Sequence, residues 1–351
     1  MKEKEYCDFF QKRQSAKTRK PLYGQIELTY QCGYDCIHCY CRDEPKTELG
    51  FDFWKDILGQ VKKEGCLEIT FTGGDPVLHK DFIRIYDYVR KKGFLINLFT
   101  NAHNLNDKMI VFLEKNPPLN IEITLNSLDK KNYERITGIK RSFDKAMKNI
   151  HKLKDNELPL VLKCNGLKEN KHEILKIKRF TEKLLGKGKF KYDSFIFPGL
   201  KGEQEPLLHR LEPEDIKEIE GKDKDMFAQR IKQAKEQSKW FNPAGLYHCN
   251  SWQRQFYINP QGVSQFCHLS KDFSTDLKRE PFKKGFDKFL QILEEKPATN
   301  SKCHSCQIKE YCYHCPARAY LETGDKEAPV SYYCRLAEAT KEFMDKLVNQ
   351  L

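Results

Sequence analysis

The sequence predicts an α/β fold, a (β/α)6 partial TIM barrel followed by a small cysteine-rich α+β domain. Three observations predict it. Between residues 21 and 200, six short runs rich in β-branched and aromatic residues alternate with helical stretches, the order of repeated βα units about a parallel sheet. Within those runs polar and apolar residues alternate with a period of two, strand after strand. From residue 245 onward the composition changes, and half of the fourteen cysteines crowd into the last third of the chain.

The first 20 residues, MKEKEYCDFFQKRQSAKTRK, form a charged N-terminal segment with no apolar core of an export signal, and Cys7 lies within it. No apolar run approaches the roughly 20 residues that span a bilayer. Many cysteines without an export signal point to the reducing cytoplasm and to metal or redox chemistry rather than disulfides. The net charge of +12 comes from Lys-Glu-rich helices without a compact basic block, so a solvated basic surface accounts for it better than a nucleic-acid partner.

The six strands are expected in QIELTY (25–30), LEITFT (67–72), FLINLFTN (94–101), NIEITLNS (120–127), LPLVLKCN (158–165) and KFKYDSFIF (189–197). In the first, Gln25, Glu27 and Thr29 share one face and Ile26, Leu28 and Tyr30 the other. Glu68, Thr70 and Thr72 repeat the pattern, as do Glu122, Thr124 and Asn126. A closed barrel fills its interior with branched apolar side chains, and outer helices need apolar strand faces. The polar faces are therefore expected to line an open, hydrated lumen; an antiparallel sheet with one wet face fits the intervening helices less well.

Residues 201–244 read as a polar, charged connector with helices in EPEDIKEIEG and KDMFAQRIKQAKEQSKW, the first opened by Pro213. Residues 245–351 hold Cys249, Cys267, Cys303, Cys306, Cys312, Cys315 and Cys334 and end in an amphipathic helix. A segment so rich in cysteine is expected to be organised by metal.

The loop after the first strand, QCGYDCIHCYC, holds Cys32, Cys36 and Cys39 spaced x3 and x2, then Cys41. It falls at the carboxyl end of the sheet, where α/β barrels place their chemistry. Three close thiolates can hold three corners of a cubane iron–sulfur cluster and leave one iron open. Zinc, which prefers four ligands in a closed structural site, is the less natural occupant, and Cys41 sits too close to Cys39 to close one easily.

These residues resemble the signature of the radical S-adenosylmethionine enzymes. The resemblance rests on Cys32-x3-Cys36-x2-Cys39 with His38 before the last cysteine, and on FTGGDP (71–76) after the second strand, where Asp75 stands in place of the more usual Glu. It covers roughly residues 21–200, which it makes the radical SAM core. It implies a 4Fe-4S cluster with an open iron on Cys32, Cys36 and Cys39, and S-adenosyl-L-methionine bound by Thr72, Gly73, Gly74 and Asp75. Thr100 and Asn101, then Thr124, Asn126 and Ser127, would serve its ribose and carboxylate, with Lys163 a further candidate for the carboxylate.

The later cysteines resemble the SPASM extension of many such enzymes, with x2 in place of x3 between Cys312 and Cys315. By position, Cys303, Cys306, Cys312 and Cys334 would bind one auxiliary 4Fe-4S cluster, and Cys249, Cys267 and Cys315 another. A zinc module is the alternative, because CHSCQIKEYCYHC pairs two CxxC units and His268, His304 and His314 stand beside cysteines. Its x5 gap is short against the roughly 15–20 residues of a zinc ribbon.

The resemblance implies reductive cleavage of S-adenosylmethionine, hydrogen-atom abstraction, and modification of a ribosomally made peptide by a thioether or carbon–carbon crosslink or by epimerisation. A flavodoxin- or ferredoxin-type reductant is implied too. Because about 20 residues precede the barrel, a separate leader-binding protein is expected to present the peptide. The alternatives are a maturase acting on a sulfatase residue or a tetrapyrrole carboxylate, an iron–sulfur electron carrier, and a zinc-dependent nucleic-acid-binding protein. Cys164 and Cys66 are expected to be packed structural thiols, and Trp252, Phe256 and Tyr257 core aromatics rather than a substrate cleft.

Overall fold

In the computed structural model, residues 19–240 and 245–348 are described; Cys7 and most of the charged N-terminal segment lie outside them. Among the described residues there are nine strands: β1 (Tyr23–Thr29), β2 (Glu68–Gly73), β3 (Leu95–Thr100), β4 (Asn120–Thr124), β5 (Leu160–Asn165), β6 (Phe190–Asp193), β7 (Gln255–Ile258), β8 (Val263–Gln265) and β9 (Thr275–Asp276). They form one sheet in the order β6-β5-β4-β3-β2-β1-β7-β8-β9. β1 to β6 run parallel, and β6 and β9 are the two edges, so the barrel stays open.

The crossovers carry helices α1 (Phe51–Lys63), α2 (Phe82–Lys91), α3 (Asp107–Lys115), α4 (Lys130–Thr137), α5 (Ser142–Asp155) and α6 (Ile174–Leu185). Their apolar stripes cover the outer face of the sheet: α1 buries Trp54, Ile57, Leu58 and Val61, and α2 buries Phe82, Ile85, Tyr86 and Val89. Asn106 and Asp129 cap α3 and α4 by accepting from the Met109 and Asn132 amides at 3.0 and 2.8 Å.

After β6 come α7 (Pro213–Gly221) and α8 (Lys224–Trp240), then α9 (Phe282–Lys288), α10 (Pro316–Thr323) and α11 (Ser331–Val348). Ile216, Ile219 and Met226 of the connector helices join the main apolar core, which ties that charged stretch to the barrel. The cysteine-rich segment continues the sheet, for β7 pairs parallel with β1 from Tyr23↔Gln255 to Ile26↔Ile258. Gly24 permits this: a Cβ there would meet the Phe256 ring at 2.4 Å. Phe256 is fully buried against Phe282, and Trp252 is half-buried beneath Arg19.

Candidate active site

The carboxyl ends of β1 to β6 surround a cavity of about 380 Å³. Cys32, Cys36, His38 and Cys39 line it from one side; Thr72, Gly73, Gly74, Thr100, Asn101, Thr124, Asn126 and Lys163 line it from the strand ends. The polar lumen is there as the alternation requires, with Gln25, Glu122 and Thr124 facing inward.

The cysteine loop is clamped from several directions. The Asp35 and Ile37 amides donate to the Thr137 and Ile136 carbonyls at 2.9 and 3.0 Å, and the Leu200 amide donates to the Tyr40 carbonyl at 2.9 Å. Glu27, buried on the inner face of β1, accepts from the hydroxyls of Tyr40 and Tyr30 at 2.8 Å each, and burial raises its pKa. Asn101 Nδ2 reaches Cys32 Sγ at 3.4 Å. His38 is enclosed and lies 3.4 Å from Asn165 Nδ2; burial lowers its pKa to about 4, so the ring is neutral.

The Gly-Gly turn is dictated by backbone contact. Gly73 has φ +128, and a Cβ there would meet the Thr29 carbonyl oxygen at 2.2 Å; one on Gly74 would meet the Gln31 oxygen at 2.4 Å. The turn therefore lies flat on the start of the cysteine loop. Beyond it Asp75 turns inward, fully buried, and accepts from Thr100 Oγ1 at 2.8 Å. Asp75 thus supports the turn and the Thr100–Asn101 pair rather than lining the cavity.

Ser127 also lies outside the lining. β4 ends at Thr124, and the Ser127 hydroxyl donates to the Glu173 carboxylate at 2.9 Å. Asn126 keeps its place, its Oδ1 accepting from the Asn165 amide at 2.9 Å. Lys163 lines the cavity but is paired with Asp193 at 3.2 Å. Asn165 and Asp193 are cavity residues that the sequence reading passed over, although the alternation on β5 and β6 carries it to both.

Cys41 is buried, its Sγ 3.7 Å from that of Cys39, a contact that lowers the Cys39 thiol and raises the Cys41 thiol. Burial pushes the Cys32 thiol up to about 11 and raises Cys36 as well. Cys164 and Cys66 are fully buried in the core, and burial raises both thiols. In the carboxy-terminal segment the thiols form two electrostatic neighbourhoods. One joins Cys303, Cys306, Cys312 and Cys334; the other joins Cys249, Cys267 and Cys315.

Among the described residues, no three His, Cys, Asp or Glu side chains converge on the position of a single ion. A cubane cluster carries each thiolate on a different iron, so its ligands stand farther apart than those around one tetrahedral zinc. The trio Cys32, Cys36 and Cys39, all sulfur and facing one polar cavity, fits a cluster with an open iron.

Fold and site together define a partial-barrel enzyme with its chemistry at the carboxyl ends of parallel strands. Residues 26–181 match the family model of the Radical SAM superfamily. That stretch is a radical SAM domain, and the chain is an enzyme of S-adenosylmethionine radical chemistry with a 4Fe-4S cluster. The chain is 22% identical over 345 residues to an AdoMet-dependent heme synthase of Methanosarcina barkeri, covering 91% of this chain and 98% of that one. Its fold is similar to that of anSMEcpe with bound AdoMet and Cp18Cys peptide, at TM-score 0.70 and 16% identity, over 94% of this chain and 98% of the other. It is also similar to SuiB of Streptococcus suis bound to the precursor peptide SuiA, at TM-score 0.69 and 16% identity, over 92% and 77% of the two chains. Among the described residues, no helix is long and apolar enough to cross a membrane.

Proposed function

We propose that this chain modifies a ribosomally made peptide, forming a thioether or carbon–carbon crosslink or epimerising a residue. One observation carries the reading. A second cavity of about 450 Å³ adjoins the first and shares Phe99, Glu122, Lys163, Asp193 and Phe195 with it. All three of its cations are already paired, Lys191 with Glu122 at 2.5 Å, Lys163 with Asp193 at 3.2 Å and Arg230 with Glu220 at 2.6 Å. Gln229, Gln233 and Ser194 add neutral polar groups. A wall of balanced charge and amides suits peptide groups, whereas a polycarboxylate calls for spare cations.

In this reading Cys32, Cys36 and Cys39 hold the cluster. Thr72, Gly73, Gly74, Asn101, Thr124 and Asn126 face the bound S-adenosylmethionine, and Asp75 and Thr100 support them. When bound, the two groups supply a 5′-deoxyadenosyl radical that removes a hydrogen atom from an unreactive carbon. The chain's own part is to hold cofactor and substrate in adjoining cavities and keep His38 neutral beside them. Residues 245–351 form the auxiliary-cluster domain, with Cys303, Cys306, Cys312 and Cys334 on one cluster and Cys249, Cys267 and Cys315 on another. A flavodoxin or ferredoxin supplies electrons, and a separate leader-binding protein presents the peptide.

Likeness to the heme synthase over nearly its whole length favours a second reading, a tetrapyrrole carboxylate as substrate. The test is to purify the protein without oxygen, reconstitute it, and offer it either short peptides encoded beside its gene or coproporphyrin III. Peptide losing two hydrogens, or taking up solvent deuterium at an α-carbon, supports the proposal; loss of carbon dioxide from the porphyrin overturns it.

A further inference from the structure

Three arginines stand where the barrel meets the cysteine-rich segment, and two of them carry their own counter-ions. Arg210 donates to the Glu322 carboxylate from Nη1 and Nη2 at 3.2 and 2.8 Å. Arg230 donates to Glu220 from Nε and Nη2 at 2.6 Å each.

Arg318 differs. It lies in the first turn of α10, three residues after Cys315, and among the described residues no ion pair joins it to a carboxylate. Its Nη1 donates to the Tyr313 carbonyl at 3.2 Å, and its guanidinium stands 4.8 and 4.9 Å from the ring centroids of Phe195 and Phe197. Asp193, the acid whose field reaches it, is already bound to Lys163 at 3.2 Å.

A cation enclosed by rings and without an acidic partner requires an anion from elsewhere. The groups that share its electrostatic surroundings are thiols, Cys315 three residues before it and Cys267 and Cys249. Cys267 and Cys315 sit with Phe197 around Leu269, Ala317 and Leu321, and Cys249 lies in the same neighbourhood. A cluster held by thiolates is anionic and becomes more so on reduction, so a fixed cation beside it favours the reduced state.

We infer that Arg318 is the built-in counter-cation of an iron–sulfur cluster held by Cys249, Cys267 and Cys315, and that it raises the reduction potential of that cluster. The inference rests on the three-cluster reading above and deepens it. Phe195 and Phe197 also line the cofactor cavity, so the rings that enclose the cation are shared with that cavity. If a thiol of the substrate closes on a carbon radical, the product is a thioether, a proton and one electron. The proton goes to solvent, and the cluster is the one-electron acceptor.

The test uses the reconstituted full chain with Cys32, Cys36 and Cys39 changed to Ala, which leaves the auxiliary clusters alone to be titrated by redox potentiometry with EPR detection. Adding Arg318→Gln should make one of two reductions about tenfold less favourable, about 59 mV for one electron, and leave the other in place. Arg318→Lys, which keeps the charge, should hold that potential near its starting value. Loss of that cluster in the Gln variant with retention in the Lys variant supports the counter-charge as well. Equal potentials in all three proteins, or equal cluster loss in both variants, overturn the inference and leave Arg318 a packing role. A starting protein that binds no auxiliary iron overturns the three-cluster reading, and the inference with it.

Discussion

Thr100 Oγ1 donates to Asp75 Oδ1 at 2.8 Å, tying the end of β3 to the turn that follows β2. Burial raises Asp75 from 3.8 to about 7. From about pH 4 to 7 the folded chain therefore holds a proton that the unfolded chain releases. The contribution of this site to stability is greatest below pH 4 and is lost as pH rises through 7, on the order of 4 kcal/mol in all. Asp75→Asn removes that dependence, so its stability relative to wild type should improve between pH 5 and 8 in urea denaturation. A relative stability that stays flat over that interval would show that Asp75 is ionised in the native protein. Thr100→Val, which removes the donor, should cost about 1–3 kcal/mol at pH 8.

The strand-end geometry makes Gly73 intolerant of any side chain. Gly73→Ala sets a Cβ 2.2 Å from the Thr29 oxygen at φ +128, so either β1 and β2 part or the turn unfolds. The expected cost exceeds about 3 kcal/mol, with S-adenosylmethionine binding lost by calorimetry. Gly59→Ala, whose Cβ meets the Tyr88 hydroxyl at 3.3 Å, is the control and should leave binding unchanged.

Period-two alternation made the lumen legible, because a strand that packs helices outside must send its other face inward. It located Thr72, Thr124 and Lys163 and, carried two residues further, reaches Asn165 and Asp193. It holds even past the end of β4, where Asn126 faces the cavity; Ser127, put there by the resemblance and not by the alternation, does not. The pairing of β7 with β1 was beyond reach, since it joins residues more than 200 apart through a four-residue strand with no periodic signal of its own. Spacing marked out Asp75 but not its direction, which the backbone of Gly73 decides.

Tyr40 lies between Cys39 and Cys41 with its hydroxyl on the buried Glu27, so it holds the cysteine loop to the inner face of β1. Tyr40→Phe keeps the ring and removes the donor. It should cost about 1–3 kcal/mol and lower occupancy of the radical cluster, read as iron retained after brief chelation. Glu27→Gln, which keeps an acceptor oxygen for one tyrosine and offers the hydroxyl of the other an N–H to accept, should retain more iron than Tyr40→Phe; the reverse order would show that the Glu27 charge itself matters to the loop.

Cys164 offers a clear separation of structure from chemistry. It is fully buried in the core, its face shared with Leu160 and Leu162, and it is absent from the cavity lining. Cys164→Ala should cost about 1–2 kcal/mol through the volume it vacates, yet leave reductive cleavage of S-adenosylmethionine within about twofold of wild type. Changing Cys36, which lines the cavity, should do the opposite in kind: cleavage falls to background and about four irons are lost per chain. Measured side by side as iron content, denaturation midpoint and 5′-deoxyadenosine formed, the two variants place each thiol. Loss of product formation in Cys164→Ala at full iron content would move Cys164 from the core into the reaction as a hydrogen donor.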